Sequence, residues 1–280
     1  MPPRPDLEIT SPANPRLKQL VALRRRRARD EAGVTVVEGF EELGLALDAG
    51  VRPRTLFYAP ELMLDPDAQL AVVDGARAAG VETVRVSRSA FEKVAYREGP
   101  DGFLALVPAV RGDLADLRLP PAPLLLVCEG LEKPGNLGAM LRTAEAAGVD
   151  AVVAVDPVTD WGNPNVVRGS KGTVFSVPVA SATLGETVTW LQQNGIRLVA
   201  TTPDTETLHT DADLTGGVAI AVGTEKFGLT DEALRAAEVR VRIPMHGNVN
   251  SLNASAAAAI VVYEAVRQRS ASPQVTPGPL

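Results

Sequence analysis

The stretch IPMHGNVNSLNASAAAAIVVYEAVRQR, residues 243–269, decides how the rest of the chain is read. A strand-like run, VRVRIP (239–244), leads through a loop rich in Gly and Asn into an Ala-rich segment. Leu252, Ala256, Ala259, Ile260, Tyr263 and Val266 recur at steps of three and four, the spacing of one helical face. A helix is expected to start near Ser251, capped by Asn250 or Ser251, because a short oxygen-bearing side chain there accepts from the helix's first amides. Periodicity alone fits a buried structural helix as well as it fits a binding site.

Upstream, strands and helices alternate. LLLVCEG (124–130), DAVVAV (150–155), VFSVPVA (174–180), IRLVAT (196–201) and GVAIAVG (217–223) are apolar runs of strand length. Between them lie helical segments at 133–148, 163–172 and 185–194, punctuated by Pro134, Pro164, Gly148 and Gly195. Such alternation predicts an α/β domain with a mainly parallel sheet covered on both faces, whose ligands bind at the strands' carboxyl ends.

Three loops lie at those ends. In Lys133–Arg142 the glycines fall as G-x-x-G (Gly135, Gly138), which is neither the dinucleotide fingerprint nor a Walker loop. A nucleotide-binding oxidoreductase is disfavoured accordingly. Arg142, taken alone, reads as half of a surface ion pair with Glu145. In VGTEKFGLTDE (222–232) two glycines let backbone amides approach a ligand closely, and Thr230 reads as a helix cap. The third loop is the one quoted first. Neither the two histidines, His209 and His246, nor Cys128 forms a set with metal-ligand spacing, so no metal is expected.

Residues 111–123, RGDLADLRLPPAP, read as a linker between residues 124–270 and a smaller α/β domain at 1–110. That domain has strand signals at 34–39, 55–59, 82–87 and 103–110, and helix signals at 40–48, 66–79 and 89–95. Residues 1–12, with four prolines, read as a loose arm, and 271–280 as a flexible tail. A helix is expected over 14–29, with Leu17, Leu20, Val21 and Leu23 on one side. The same stretch holds Arg16, Lys18, Arg24, Arg25, Arg26, Arg27 and Arg29, a quarter of the 28 Lys and Arg. The net charge of −6 argues against nucleic acid, but concentrated basic charge is what phosphate binding needs. A solvated helix face is the alternative, but the mutual repulsion of four consecutive arginines is easier to explain if a polyanion meets them. One cysteine, no apolar leader and no membrane-length apolar run make a cytoplasmic protein the expectation.

Together, NLGAMLRTAEAAG, GTEKFGL and IPM…SLNASAAAAI closely resemble the three ordered motifs of the SpoU/TrmH family, the SPOUT or α/β-knot RNA ribose 2′-O-methyltransferases. The resemblance is strong over about 122–267. It is weaker over the N-terminal half, where NPRLKQLVALRRRRARDEAGVTVVEG is similar to the family's RNA-binding extension. It implies a trefoil knot, S-adenosylmethionine as cofactor, and a homodimer with its active sites near the interface. Carried over by position, it implies Asn136, Arg142, Glu225, Ser251 and Asn253 as active-site residues. It likewise implies Thr202, Gly223, Ile243 and Leu252 at the cofactor, while the concentrated charge marks Arg16, Lys18, Arg24, Arg25, Arg26 and Arg27 as RNA-binding candidates. Asn250 departs from the acidic residue that many relatives carry. An arginine keeps its charge, so Arg142 is expected to stabilise a developing alkoxide rather than accept its proton.

The expected activity is methylation of a ribose 2′-hydroxyl, with 23S rRNA as the leading substrate. Some members of the family confer resistance to ribosome-targeting antibiotics, namely the avilamycin- and thiostrepton-type enzymes, and the two-domain length resembles theirs. A housekeeping tRNA or rRNA enzyme is the alternative. A non-catalytic RNA-binding protein is opposed by the intact motif residues.

Overall fold

The computed structural model describes residues 6–247, 249 and 251–271. They fall into two compact units: the chain up to Arg111 together with Asp160–Ser176, and Gly112–Thr159 together with the chain from Val177 onward.

The first unit runs β1 (Leu7–Ile9), α1 (Pro15–Ala22), α2 (Arg26–Ala32), β2 (Val34–Glu38), α3 (Phe40–Asp48), β3 (Thr55–Tyr58), α4 (Pro66–Ala78), β4 (Glu82–Val86), α5 (Arg88–Val94) and β5 (Phe103–Pro108). Its sheet has the order β1-β4-β3-β5-β2, with β1, β4 and β3 parallel and β5 antiparallel to both neighbours. Leu17, Leu20, Val36, Phe57, Val84, Phe91 and Leu104 pack into one core.

Two expectations change here. Leu7–Ile9 is an edge strand rather than part of a loose arm: Leu7 pairs with Val84, and Ile9 is buried. Residues 1–5 of that arm lie outside the described residues, as does the tail beyond 271. The helix expected over 14–29 is two helices, because Arg25 is extended between them. The break exposes the carbonyls of Leu23 and Arg24, and the Arg29 guanidinium donates to both, at 3.0 and 3.1 Å. Arg29 is therefore 3% exposed rather than part of a basic surface.

In the second unit's stretch of sequence, β6 (Leu124–Glu129), α6 (Pro134–Ala147) and β7 (Ala151–Val155) come first. Then α7 (Pro164–Gly169) packs on β2 of the first unit's sheet. Asp160 accepts from Arg29 at 2.7 Å, and a Cβ on Gly162 would sit 2.7 Å from Thr35 Oγ1. Asp160–Ser176, inside the stretch 124–270, thus groups with the N-terminal unit.

There follow β8 (Val179–Ala182), α8 (Leu184–Gln193), β9 (Arg197–Thr201), β10 (Val218–Val222), α9 (Asp231–Ala236), β11 (Val239–Val241) and α10 (Ala254–Ala271). The strand expected over 174–180 starts only at Val179, after Pro178, which has no amide to give a ladder. All six strands are parallel, in the order β11-β9-β10-β6-β7-β8. Residues 112–123 do not form a free linker: Leu114, Leu117 and Leu119 pack on this sheet's core, and Gly112 O accepts from Ser181 N at 3.0 Å.

In α10, Ala254, Ala258, Val261, Val262 and Ala265 face inward. The stripe read from the sequence is the other side, where Ile260 is 38% and Tyr263 48% exposed. An Ala-rich helix leaves little contrast between its faces, so spacing alone picks the wrong one.

Candidate active site

The parallel sheet reverses its winding between β6 and β10. From β6 the chain goes outward to β7 and β8, whereas β10, β9 and β11 lie on the opposite side. Such a switch point leaves a crevice at the carboxyl ends of the strands. The loop into α6, the loop after β10 and the segment after β11 all start there.

Pro134 opens α6, where a missing amide costs nothing, and puts Asn136 in its first turn. Asn136 Nδ2 donates to Glu225 Oε1 at 3.0 Å, and Asn253 Nδ2 donates to the same oxygen at 2.6 Å. Asn253 Nδ2 also reaches Asn136 Oδ1 at 3.2 Å, and Lys133 Nζ donates to Glu225 Oε2. The Lys133 and Asn136 hydrogen bonds hold the Glu225 carboxyl below the usual carboxylate range. It is therefore an anion at neutral pH. Asn253 Oδ1 in turn accepts from Ser255 N at 3.0 Å and Ser255 Oγ at 2.5 Å. Asn253 thus caps α10, not Ser251, which precedes the helix by three residues; Asn250 lies outside the described residues.

Beside this cluster is a cavity of about 490 Å³, within the range of small-molecule sites. Thr202, Gly223, Glu225, Ile243, Ser251 and Leu252 all line it. Gly223 admits no side chain: a Cβ there would sit 2.0 Å from the Gly228 carbonyl carbon. The loop closes on itself, with Thr224 N donating to Gly228 O at 3.0 Å and Gly228 N to Thr224 O at 2.9 Å. Gly228 has φ of 71°, a left-handed conformation that suits glycine. Buried Glu129, at the end of β6, anchors the far side by accepting from Thr230 N and Oγ1 at 2.8 and 2.7 Å.

Arg142 stands apart. It is exposed on α6, does not line the cavity, and has no ion pair with Glu145 or any other acid among the described residues. Six residues of helix separate it from Asn136 by about 9 Å of rise. Sequence reading missed Lys133 and Glu129. The signals were there: a lysine directly before the Pro-Gly turn, and a carboxylate ending an otherwise apolar strand. Among the described residues no group of His, Cys, Asp or Glu could hold a metal ion.

In the N-terminal unit the basic run is largely paired. Arg16 meets Glu82 at 2.7 Å, Arg26 meets Asp30 at 3.6 Å and Arg27 meets Glu31 at 2.7 Å. Arg24 donates to Ala95 O at 2.9 Å and lies 5.2 Å from the centre of the Tyr96 ring. Lys18 and Arg25 have no such partner among the described residues. With Lys93 they line a groove of about 410 Å³ floored by Leu17 and Val21.

A model of the SpoU rRNA Methylase family matches residues 123–263, and one of an MRM3-like substrate binding domain matches 14–105. The 23S rRNA (guanosine-2′-O-)-methyltransferase of Coxiella burnetii is 34% identical over 84% of this chain and 96% of its own length. A solved RNA 2′-O ribose methyltransferase is 41% identical with a TM-score of 0.82, over 94% of this chain and 100% of that one. The SpoU methyltransferase AviRb of Streptomyces viridochromogenes, solved with AdoMet, is 28% identical with a TM-score of 0.82, over 92% and 99%. With this match over the catalytic half and a second over the N-terminal unit, the chain belongs to the SpoU rRNA methylase family.

Proposed function

We propose that the protein transfers a methyl group from S-adenosylmethionine to a ribose 2′-hydroxyl of 23S rRNA. The observation that carries this is the Lys133–Asn136–Glu225–Asn253 cluster beside the Gly223 cavity, in a chain of this family.

The cavity fits the cofactor. Ile243 and Leu252 give apolar walls, Gly223 brings backbone close, and the Thr201 hydroxyl is buried there with no hydrogen-bond partner among the described residues. Anionic Glu225 complements a sulfonium. Thr202, Gly223, Ile243 and Leu252 would hold the cofactor, which when bound supplies an electrophilic methyl group. Asn136, Asn253 and Ser251 orient the ribose hydroxyl, and Glu225 keeps both asparagines in place. Both Glu225 oxygens already accept hydrogen bonds, and its carboxyl sits low, so it is a poor base. The proton passes to solvent or to the neighbouring phosphate.

Arg142 supplies positive charge to the developing alkoxide from outside its own cavity, which a second copy of the chain allows. The outward face of α10, with Ile260 and Tyr263, is the surface proposed to make that homodimer; Val261 and Val262 belong to the chain's own core. RNA is held at Lys18, Arg25 and Lys93. Arg16, Arg24, Arg26 and Arg27 reach it only by giving up partners inside the chain. No helix among the described residues is long and apolar enough to cross a membrane, in keeping with work on ribosomal RNA in the cytoplasm.

Mapping of 2′-O-methyl groups in 23S rRNA with and without the gene tests the reading. One modified nucleotide should disappear with the gene and return when purified protein and S-adenosylmethionine are added. Its position, with antibiotic susceptibility of the two strains, separates housekeeping from resistance. An unchanged map, or titration heat with NAD and none with S-adenosylmethionine, would overturn it.

A further inference from the structure

The loop between β10 and α9 carries at its tip a pair of side chains that methyl transfer as described does not use. Phe227 is 77% exposed, and the Lys226 ammonium lies 4.7 Å from the centre of its ring. One exposed apolar side chain means little by itself. The position of this one is what counts: it lines the cavity and stands two residues from Glu225. It is also held firmly. The Thr224–Gly228 hydrogen bonds close the turn beneath it, and Phe227 N donates to Thr224 Oγ1 at 3.0 Å.

Resting on the proposed activity, we infer that Phe227 is a stacking platform for an unpaired nucleobase of the RNA substrate, with Lys226 taking an adjoining phosphate. Aromatic faces accept any base by stacking, and a neighbouring cation suits the backbone that carries it. Charge decides against the cofactor as occupant. S-adenosylmethionine carries a sulfonium and an ammonium against one carboxylate, so its net charge is positive and Lys226 offers it no net attraction. RNA is a polyanion, and Lys226 attracts it. The ring needs a base on one face only, which leaves the other to the Lys226 ammonium.

The test uses full-length protein, transcribed unmodified 23S rRNA and labelled S-adenosylmethionine. Phe227→Ala should raise KM for RNA about tenfold, in the range seen when stacking aromatics are removed. Phe227→Trp should stay within about twofold of wild type, and Phe227→Leu should behave like Ala. Lys226→Ala should raise KM at low salt and matter less at high salt. Calorimetric affinity for S-adenosylmethionine should be the same in all four variants. An unchanged KM in Phe227→Ala, or rescue by Leu, overturns the platform. So does a parallel loss of cofactor affinity, which would place the ring over the cofactor, or a shift in sedimentation, which would place it against a second copy. A wild-type protein that methylates no RNA overturns the underlying activity instead, and that control is read before any variant.

Discussion

Removing the Asp160 carboxylate should unfold the N-terminal unit early, although Asp160 is separated in sequence from nearly all of that unit. Arg29 is 3% exposed, and its guanidinium is shared between two carbonyls and Asp160, whose side chain is 19% exposed. Asp160→Ala strands a buried cation. Such losses cost 3–5 kcal/mol, and the partial exposure of Asp160 puts this one at the low end, about 3 kcal/mol. With a slope of about 2 kcal/mol per molar urea, the unfolding midpoint should fall by roughly 1.5 M. The readout is built in. Trp161 lies in the same unit and is buried, and Trp190 is in the other. A Trp190→Phe background makes fluorescence report the first unit, and Trp161→Phe the second. Arg29→Met with Asp160→Leu should recover most of the loss, because a buried ion pair is worth little more than a well-packed apolar pair. An unchanged Trp161 midpoint, or a shift confined to Trp190, would refute the placement of Asp160–Ser176.

Four further outcomes are expected. Replacing Lys18, Arg25 and Lys93 by Ser should weaken RNA binding and flatten its log–log salt slope by about 0.7–0.9 for each phosphate no longer neutralised. Arg27→Ser, which breaks only an exposed pair with Glu31, should change that slope little. Gly223→Ala should abolish calorimetric binding of S-adenosylmethionine, whereas Gly185→Ala, with nothing within 4 Å, should bind normally. Burial alone would raise the Asp6 carboxyl, but hydrogen bonds from Arg77, Thr83 and Tyr58 outweigh it and bring the group down to about 2 from 3.8. Its stabilisation is therefore complete above pH 4 and lost on acidification from there towards pH 2; in Asp6→Asn that part of the pH–stability curve should vanish. Tyr263→Glu should convert a sedimenting dimer to monomer and lower turnover with it, while cofactor affinity is kept.

Elements bounded by Gly or Pro and carrying a clear apolar pattern were legible from residues alone, as in Phe40–Asp48 and Leu124–Glu129. What escaped depends on partners far away in the chain. The break before Arg26 carries no Gly or Pro and is stabilised by Arg29 reaching back. Leu7–Ile9 is a strand only because β4, some 75 residues on, offers an edge. The site was legible as motifs in order, and the structure brings Asn136, Glu225 and Asn253 within hydrogen-bond reach. Lys133 and Glu129 enter only through that geometry. Arg142, named from its motif, lies outside the cluster.

Asn253 both caps α10 and binds Glu225 and Asn136, so the cluster lacks a member until the last helix is in place. A chain emerging from the ribosome gains Asn136 first, then Glu225, and Asn253 last of the three. During its own synthesis it lies against the very class of molecule it is proposed to methylate. The order of the elements leaves the cluster incomplete until Asn253 has followed the other two.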